Sequence, residues 1–125
     1  MISPYLSDLG IKEESLPWNF RVSKSKKKAF KKQREEHGFD ARDTWDLDST
    51  LAYLIYPRLK MYAEESQAVG DEGVYEFENV KYSLDELINM CLKEFESYFT
   101  EQNSDQPHLK RAFEILAATV HSLWW

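Results

Sequence analysis

Residues 38–65 read GFDARDTWDLDSTLAYLIYPRLKMYAEE, and the rest of the chain is organised around this stretch. It opens with a glycine that can end a preceding helix, passes through an acidic loop and continues into a long apolar segment. Advancing about 100° per residue gathers most of its apolar side chains on one side of a helix. This apolar stripe contains Leu47, Leu51, Leu54, Met61 and Tyr62, with Ile55 and Leu59 beside it. We expect the stripe to face the hydrophobic core.

Arg58 falls inside this stripe by the same arithmetic. Because an arginine side chain keeps its charge, a buried Arg58 needs a partner. The nearest acids in the sequence are Asp40, Asp43, Asp46 and Asp48. One interpretation is an internal ion pair that joins the loop to the helix, and the other is a site for a phosphate or a partner's carboxylate. Pro57 predicts a kink or a break, which can instead turn Arg58 towards water.

The start and the opposite face of this helix can also be predicted. Asp48 or Ser49 is the expected N-cap, because a short oxygen side chain can accept from the first free N–H groups. Tyr53, Tyr56 and Lys60 lie opposite the stripe. That face is either solvated or a second contact surface.

Composition favours one domain with a substantial core, since 42% of the 125 residues are hydrophobic. The net charge of −6 argues mildly against nucleic acid as a partner. A single cysteine excludes an internal disulfide and indicates a reducing compartment, so we expect a cytoplasmic location. We find neither a signal peptide nor an apolar run of about 18 residues, and we expect no membrane span.

A basic segment precedes the glycine, because residues 21–34 hold eight basic residues and no acidic one. Residues 23–36 predict a helix, with Ser23 as its cap and Gly38 at its end. The segment is a solvated charge run, a polyanion-binding surface or an arm docked on the acidic remainder. The candidate nucleic-acid contacts are Lys24, Lys26, Lys27, Lys28, Lys31, Lys32 and Arg34. We expect residues 1–37 to form an arm with this basic helix, which can be flexible, and 38–125 a helical core domain.

The second half of the sequence indicates a hairpin followed by two helices. Residues 74–82 favour a short β-hairpin turning at Glu78-Asn79, although an isolated hairpin is marginal. Ser83-Leu84-Asp85-Glu86 is a capping box, and an uncharged stripe with Cys91 follows it. A turn over 103–106, with Asp105 as a cap and Pro107 in the first helical turn, predicts the last helix. Its predicted apolar face is Leu109, Ala112, Phe113, Leu116, Ala117, Val120, Leu123 and Trp124. The fold prediction is mainly α, with three to four helices and one short hairpin.

No residue pattern assembles a catalytic or metal site. The three histidines lack zinc-protease spacing, and no phosphate-binding glycine motif is present. The acids over 40–48 resemble a hard-metal loop but lack the glycine of an EF-hand. We therefore predict no enzyme, no cofactor and no metal. The four tryptophans, Trp18, Trp45, Trp124 and Trp125, are either core anchors or interface residues.

The segment from Gly38 to Lys60 resembles a recurring segment of small, uncharacterised proteins of tailed bacteriophages and prophages. The shared pattern is G-[FW]-D-x-R-[DE]-T-W-x-L-D-x-T-[IL]-A-x-[FL]-[IL]-x-P-R-L-K. The matching positions are Gly38, Phe39, Asp40, Arg42, Asp43, Thr44, Trp45, Leu47, Asp48, Thr50, Leu51, Ala52, Leu54, Ile55, Pro57, Arg58, Leu59 and Lys60. The ending Leu123-Trp124-Trp125 is also similar, whereas the basic stretch 24–34 lies outside the resemblance. The resemblance implies a phage accessory protein without a named activity.

These observations predict a non-enzymatic phage accessory protein that binds and modulates or inhibits a host protein, such as a defence factor. The candidate partner-binding residues are Arg58, Lys60, Trp45, Asp43, Arg42, Trp124 and Trp125. The first alternative is nucleic-acid binding through residues 21–34. The second is binding of a nucleotide or phosphate ligand around Arg58. A homo-oligomer is compatible with all three.

Overall fold

A computed structural model describes residues 1–66, 73–101 and 107–123, and the described residues form six α-helices and one β-hairpin. The helices are α1 (Pro4–Ser7), α2 (Lys24–His37), α3 (Arg42–Trp45), α4 (Leu47–Glu65), α5 (Leu84–Thr100) and α6 (Pro107–Thr119). The strands are β1 (Val74–Phe77) and β2 (Val80–Ser83), and single 3-10 turns cover Glu13–Ser15, Pro17–Asn19 and Val120–Ser122. The prediction of a mainly α fold with a short hairpin is confirmed. Within the described ranges, no helix is long and apolar enough to cross a membrane.

The chain divides into two compact units, Met1–Leu54 and Ile55–Trp125, which we call the first and second units. The first unit contains α1, α2 and α3 together with the start of α4. The second contains the rest of α4, the hairpin, α5 and α6. The division into an arm over 1–37 and a core over 38–125 stays a prediction.

Helix α2 begins and ends where its caps predict. The Ser23 hydroxyl accepts from the Lys26 N–H, and the Gly38 N–H donates to the Arg34 carbonyl. Gly38 has a φ of 84°, a left-handed conformation that glycine adopts without steric cost. Phe30 is the residue that α2 buries, so this helix contributes little apolar area to the first unit.

Helix α4 corrects the predicted orientation of the central stripe. Leu47, Leu51, Leu54 and Met61, the residues expected in the core, are between 40 and 57% exposed. The face that is buried carries Ala52, Tyr56 and Leu59 instead. Tyr56, which was placed opposite the core-facing stripe, is buried, so its assignment to a solvated face was wrong. Arg58 is exposed, which agrees with the alternative in which it turns towards water rather than with burial in the stripe. The helix also continues through Pro57 without a break.

Tyr56 explains why this face is buried in the second unit. Its ring lies 6.2 Å from the Phe95 ring and 5.5 Å from the Phe99 ring, centroid to centroid. Its hydroxyl donates to the Glu96 carboxylate at 2.6 Å. A tyrosine can be buried at little cost when its hydroxyl finds such a partner. Helical periodicity had placed this residue opposite the stripe that was expected to face the core.

The beginning of α4 lies slightly before the predicted cap. The first backbone bond runs from the Thr50 N–H to the Asp46 carbonyl at 2.9 Å, so Asp46 takes the cap position. The prediction of Asp48 or Ser49 as the cap was thus wrong by two or three residues. Neighbouring short oxygen side chains in the sequence leave the choice of cap open.

Helices α5 and α6 pack on each other in the second unit. The capping box of α5 is present, since Ser83 and Glu86 each accept the other's backbone N–H. Six members of its predicted stripe are buried, namely Leu84, Leu87, Ile88, Cys91, Leu92 and Phe95. The last two, Tyr98 and Phe99, are half-buried. On α6 the predicted face is only partly correct. Leu109 and Ala112 are buried as expected, but Ile115 and Thr119 replace Val120, which is 50% exposed.

Charged side chains join α6 to its neighbours within the second unit. His108 lies between two carboxylates, with Nδ1 2.7 Å from Glu94 and Nε2 2.8 Å from Glu101. The hydrogen bond to Glu94, helped by Glu101, raises the pKa of His108 above its ordinary value. Arg111 pairs with Glu78 in the hairpin turn, and its guanidinium lies 5.3 Å from the Phe77 ring centroid.

The hairpin matches its sequence prediction closely. Strands β1 and β2 are antiparallel, with Tyr75 opposite Tyr82 and Phe77 opposite Val80. Glu78 and Asn79 form the turn with φ values of 52° and 65°. Two positive φ values fit the turn type that joins two-residue hairpins. Tyr75 also donates to the Ser122 hydroxyl at 2.8 Å, which helps to anchor this otherwise marginal element.

Candidate functional site

Asp40 is the centre of a charged cluster in the first unit. It follows the Gly38 turn directly, and its side chain has no exposed area. Arg42 donates to it from Nε at 3.0 Å and from Nη2 at 2.8 Å, while the Arg42 backbone N–H donates at 2.9 Å. The Arg34 Nε lies 2.6 Å from the second carboxylate oxygen. The bond from Arg42 holds the pKa of Asp40 below its usual range, against the opposing effect of burial.

Arg42 connects this cluster to the aromatic residues of the first unit. Its guanidinium carbon lies 5.1 Å from the Phe30 ring centroid, and its Nη1 donates to the Phe20 carbonyl at 2.9 Å. The Phe30 ring meets the Trp45 ring edge-on at 5.9 Å. Arg42 was predicted to contact a partner, and the structure places it in an internal network. Trp45 keeps 53% of its surface exposed and remains available for contact.

An apolar groove of about 520 Å³ lies beside this cluster, wholly within the first unit. Its lining residues are Trp18, Arg34, Gly38, Phe39, Asp43, Thr44, Leu47, Thr50, Leu51 and Leu54. Four of them are large apolar side chains with considerable exposure: Phe39 at 49%, Leu47 at 57%, Leu51 at 44% and Leu54 at 40%. Trp18 is held at the groove by an edge-on contact with the Tyr53 ring at 6.4 Å. The groove can accept an apolar side chain.

The polar lining of the groove combines one acid, one base and two hydroxyls, from Asp43, Arg34, Thr44 and Thr50. Asp46 and Asp48 are exposed and flank Leu47 in the sequence. The side chains of Asp46 and Asp48 share a hydrogen bond, which raises the pKa of Asp46 and lowers that of Asp48. Among the described residues, Asp43 Oδ1 and the Thr50 hydroxyl are buried without a hydrogen-bond partner. Arg34 brings one positive charge to the same groove, but it already pairs with Asp40.

The remaining predicted contacts of the phosphate hypothesis lie in the second unit. Arg58 is exposed there, and the Lys60 ammonium lies 3.9 Å from the Glu96 carboxylate that also accepts from Tyr56. Of the acids proposed as partners for Arg58, Asp40 is bound by Arg34 and Arg42. Arg42, Asp43 and Trp45 belong to the first unit. The grouping of these residues into one ligand site therefore stays a prediction.

The basic helix displays its lysines to solvent. Lys24, Lys26, Lys27, Lys28, Lys31 and Lys32 are all exposed on α2. Lys32 lies 3.8 Å from Glu36 one turn later, which is a solvated pair of small energetic consequence. Arg34 differs from the lysines, because its contact with Asp40 gives it a structural role in addition to any external contact.

Two of the predicted partner-binding residues, Trp124 and Trp125, lie outside the described residues, as does the predicted cap Asp105. Cys91 is buried, and its thiol donates to the Ala112 carbonyl at 3.3 Å. Burial raises the pKa of this thiol to about 12. Across residues 1–66, 73–101 and 107–123, no group of three or more His, Cys, Asp or Glu side chains could hold a metal ion.

Sequence reasoning missed the groove and the position of Asp40. Phe39 was not singled out, and Leu47, Leu51 and Leu54 were assigned to the core. The available signal was their regular spacing, which identifies an apolar face but not what covers it. Comparison of the chain with protein-family models, with curated proteins and with solved structures gives no match.

Proposed function

We propose that this chain is a non-enzymatic accessory protein of a tailed bacteriophage or prophage that binds and modulates a host protein. The observation that carries the proposal is the groove of the first unit, where Phe39, Leu47, Leu51 and Leu54 are all at least 40% exposed. Contiguous exposed apolar surface on a soluble domain commonly marks an interaction site. The resemblance of residues 38–60 to phage proteins supports the origin and the accessory role.

The groove has the composition of an interface rather than of a reaction centre. Aromatic and aliphatic side chains dominate its lining, and Trp45 adds a half-exposed indole in the same unit. Such residues supply much of the binding energy at protein interfaces. Covering the exposed part of Leu51 alone is worth about 1 kcal/mol in transfer free energy. A few such contacts in one groove suffice for a specific, moderately tight complex.

A pull-down from nuclease-treated bacterial lysate, read by mass spectrometry at low and moderate salt, tests the proposal. The bait proteins are the wild type, Leu51→Ala and the matched control Met61→Ala. The control lies on the same helix and has nearly the same exposure, 45% against 44%, but it does not line the groove. We expect a host protein that the wild type and Met61→Ala retain and that Leu51→Ala loses. Equal retention by all three proteins would contradict a role for the groove.

Nucleic-acid binding through α2 remains the second candidate, and the exposure of its six lysines favours it. A phosphate-binding surface predicts affinity that falls steeply with salt, because each neutralised phosphate releases counterions. Changing Lys26, Lys27, Lys28, Lys31 and Lys32 to glutamine should abolish such binding. A mobility-shift titration with duplex and single-stranded DNA at two salt concentrations compares the affinity of the wild type with that of this variant. A variant that binds as the wild type does would exclude this candidate.

Binding of a nucleotide or phosphate around Arg58 is the third candidate, and a thermal shift tests it. A ligand at about 100 times its Kd adds roughly 2.7 kcal/mol to the stability of a protein that binds it only when folded. The panel includes cyclic nucleotides, and Arg58→Ala serves as the control variant. An unchanged melting temperature across the whole panel would remove this candidate.

A further inference from the structure

Two lining residues of the groove, Asp43 and Thr50, each bury a polar atom that lacks a hydrogen-bond partner. The atoms are Asp43 Oδ1 and the Thr50 hydroxyl, and neither is bonded in the part of the chain that the structure describes. Thr50 as a whole is only 5% exposed. A buried polar atom without a partner costs free energy, and folded proteins rarely keep one. An occupant of the groove that completes these atoms would recover that cost.

Two other helical threonines show how Thr50 could have satisfied its hydroxyl within its own helix. Thr100 donates to the Glu96 carbonyl at 2.8 Å, and the buried Thr119 donates to the Ile115 carbonyl at 3.3 Å. Such bonds to the preceding turn are an ordinary choice for a helical threonine. Among the described residues, Thr50 makes no such bond. Because a helical threonine has two χ1 rotamers, the Thr50 hydroxyl can turn towards an occupant of the groove.

The charges at the groove balance. Of its lining residues, Asp43 and Arg34 carry opposite charges. Arg34 pairs with Asp40, and Asp40 pairs with Arg42, so these two acids and two bases carry no net charge. A charged occupant of either sign would meet a like charge in the lining. The other large lining side chains are apolar, so the lining favours a neutral and largely apolar occupant.

We propose that the groove binds a tryptophan or tyrosine side chain of the partner protein. This inference rests on the proposed function, and it adds the chemistry of the partner. Among the amino-acid side chains, these two combine a large apolar body with a neutral N–H or O–H donor. The ring packs against Phe39, Leu51 and Leu54, in a groove of about 520 Å³. Its donor binds to Asp43 Oδ1 or to the Thr50 hydroxyl, both of which can accept.

The test begins with a selection on the full chain. A yeast-displayed library of random peptides of about 16 residues, long enough for four helical turns, is selected for binding to the protein. Alanine scanning then identifies the side chains on which each enriched peptide depends. A peptide that depends on a tryptophan or tyrosine is synthesised in two forms, one intact and one without the donor. Tyrosine is changed to phenylalanine, and tryptophan to its benzothiophene analogue, in which sulfur replaces the N–H group.

Both forms of the peptide are labelled and titrated by fluorescence anisotropy against the wild type and five variants. Thr50→Val removes the hydroxyl and keeps the shape of the side chain, and Asp43→Ala removes the carboxylate. Their matched controls are Thr100→Val and Asp8→Ala, which change exposed residues that do not line the groove. Leu51→Ala shows whether the peptide occupies the groove. Circular dichroism of each variant shows whether its helices are intact.

We expect the intact peptide to bind Thr50→Val or Asp43→Ala about tenfold more weakly than the wild type, the effect of one buried hydrogen bond. The peptide without the donor should bind the wild type about tenfold more weakly, and the same variant should weaken it no further. Thr100→Val and Asp8→Ala should change either affinity less than about twofold. Because Thr50→Val removes an unpartnered hydroxyl, it should be at least as stable as the wild type in urea, which separates lost binding from lost folding.

The other outcomes separate the two levels of the proposal. Peptides that depend on Leu51 but not on a tryptophan or tyrosine overturn this inference and leave the proposed function in place. Peptides that bind equally well with and without the donor, or that ignore both Thr50→Val and Asp43→Ala, do the same. If no enriched peptide depends on Leu51, the groove is not a peptide-binding site and both proposals fail.

Discussion

Asp40 offers the sharpest test of what holds the first unit together. Its carboxylate has no exposed area and accepts three bonds from Arg42 and one from Arg34. Asp40→Asn keeps the shape and the acceptor for the Arg42 backbone N–H. It removes the negative charge that the Arg42 guanidinium, only 16% exposed, depends on. An arginine left mostly buried without its carboxylate is the main source of the expected loss.

The magnitude follows from these exposures. Removing one partner of a buried ion pair costs about 3–5 kcal/mol. Loss of the contact with Arg34 adds little to this cost, because the Arg34 side chain is 39% exposed and water can replace much of its interaction with the carboxylate. The amide also retains one hydrogen bond, worth about 1 kcal/mol. We therefore expect Asp40→Asn to lower the free energy of unfolding by about 3 kcal/mol at pH 7.

Urea denaturation followed by circular dichroism measures this difference. The control Asp8→Asn removes an exposed carboxylate and should change stability by less than about 0.5 kcal/mol. The pH dependence provides a second check, because the folded pKa of Asp40 is depressed. Its stabilisation is complete above the unfolded value of about 3.9 and is lost as pH falls towards the folded pKa. The gap between wild type and Asp40→Asn should close over that range. A gap below about 1 kcal/mol at pH 7, or one that persists in acid, would refute this account.

Three further predictions concern single buried or paired groups. Thr50→Val should raise the free energy of unfolding by about 1 kcal/mol, measured by urea denaturation. The buried Thr50 hydroxyl has no hydrogen-bond partner among the described residues, and valine has nearly the shape of threonine. A loss of stability would mean that the hydroxyl is hydrogen-bonded. His108→Gln should destabilise the protein most at low pH, where the imidazolium lies between the carboxylates of Glu94 and Glu101. The loss of stability should shrink as pH rises through the raised pKa of His108, because the imidazolium loses its charge there. Thermal melts from pH 5 to about pH 9 measure this change, and a pH-independent loss would contradict the prediction. Cys91 should react with a thiol reagent only as the protein unfolds, because its thiol is buried and has a pKa of about 12; rapid labelling of the folded protein at pH 8 would show that Cys91 is accessible.

Local interactions made the element boundaries predictable from the sequence. The cap at Ser23, the left-handed end at Gly38 and the capping box at Ser83 each depend on residues within about four positions. The turn at Glu78-Asn79 is equally local. Helix α5 was predictable for a related reason. One side of it is apolar and the other polar, so only one orientation can be buried.

Tertiary structure alone decided the orientation of α4, because this helix carries apolar or aromatic residues on two sides. Its leucines offered the more regular stripe, yet Tyr56 is the residue buried, since it packs on Phe95 and its hydroxyl reaches Glu96. No window of sequence contains that partner, which lies 40 residues away. Arg58, in the same unit as Tyr56, is exposed.

The charged cluster shows the same division between sequence and structure. The sequence by itself identified the acids of the loop, but it offered them as partners for Arg58 and left docking of the basic helix as one of three alternatives. Which arginine meets which acid was settled only when the Gly38 turn placed Asp40 against both Arg34 and Arg42. Periodicity and capping act over one or two helical turns, whereas the burial of a charge depends on everything packed around it. The helices and their ends are therefore readable from the sequence, while the surfaces that they leave exposed are not.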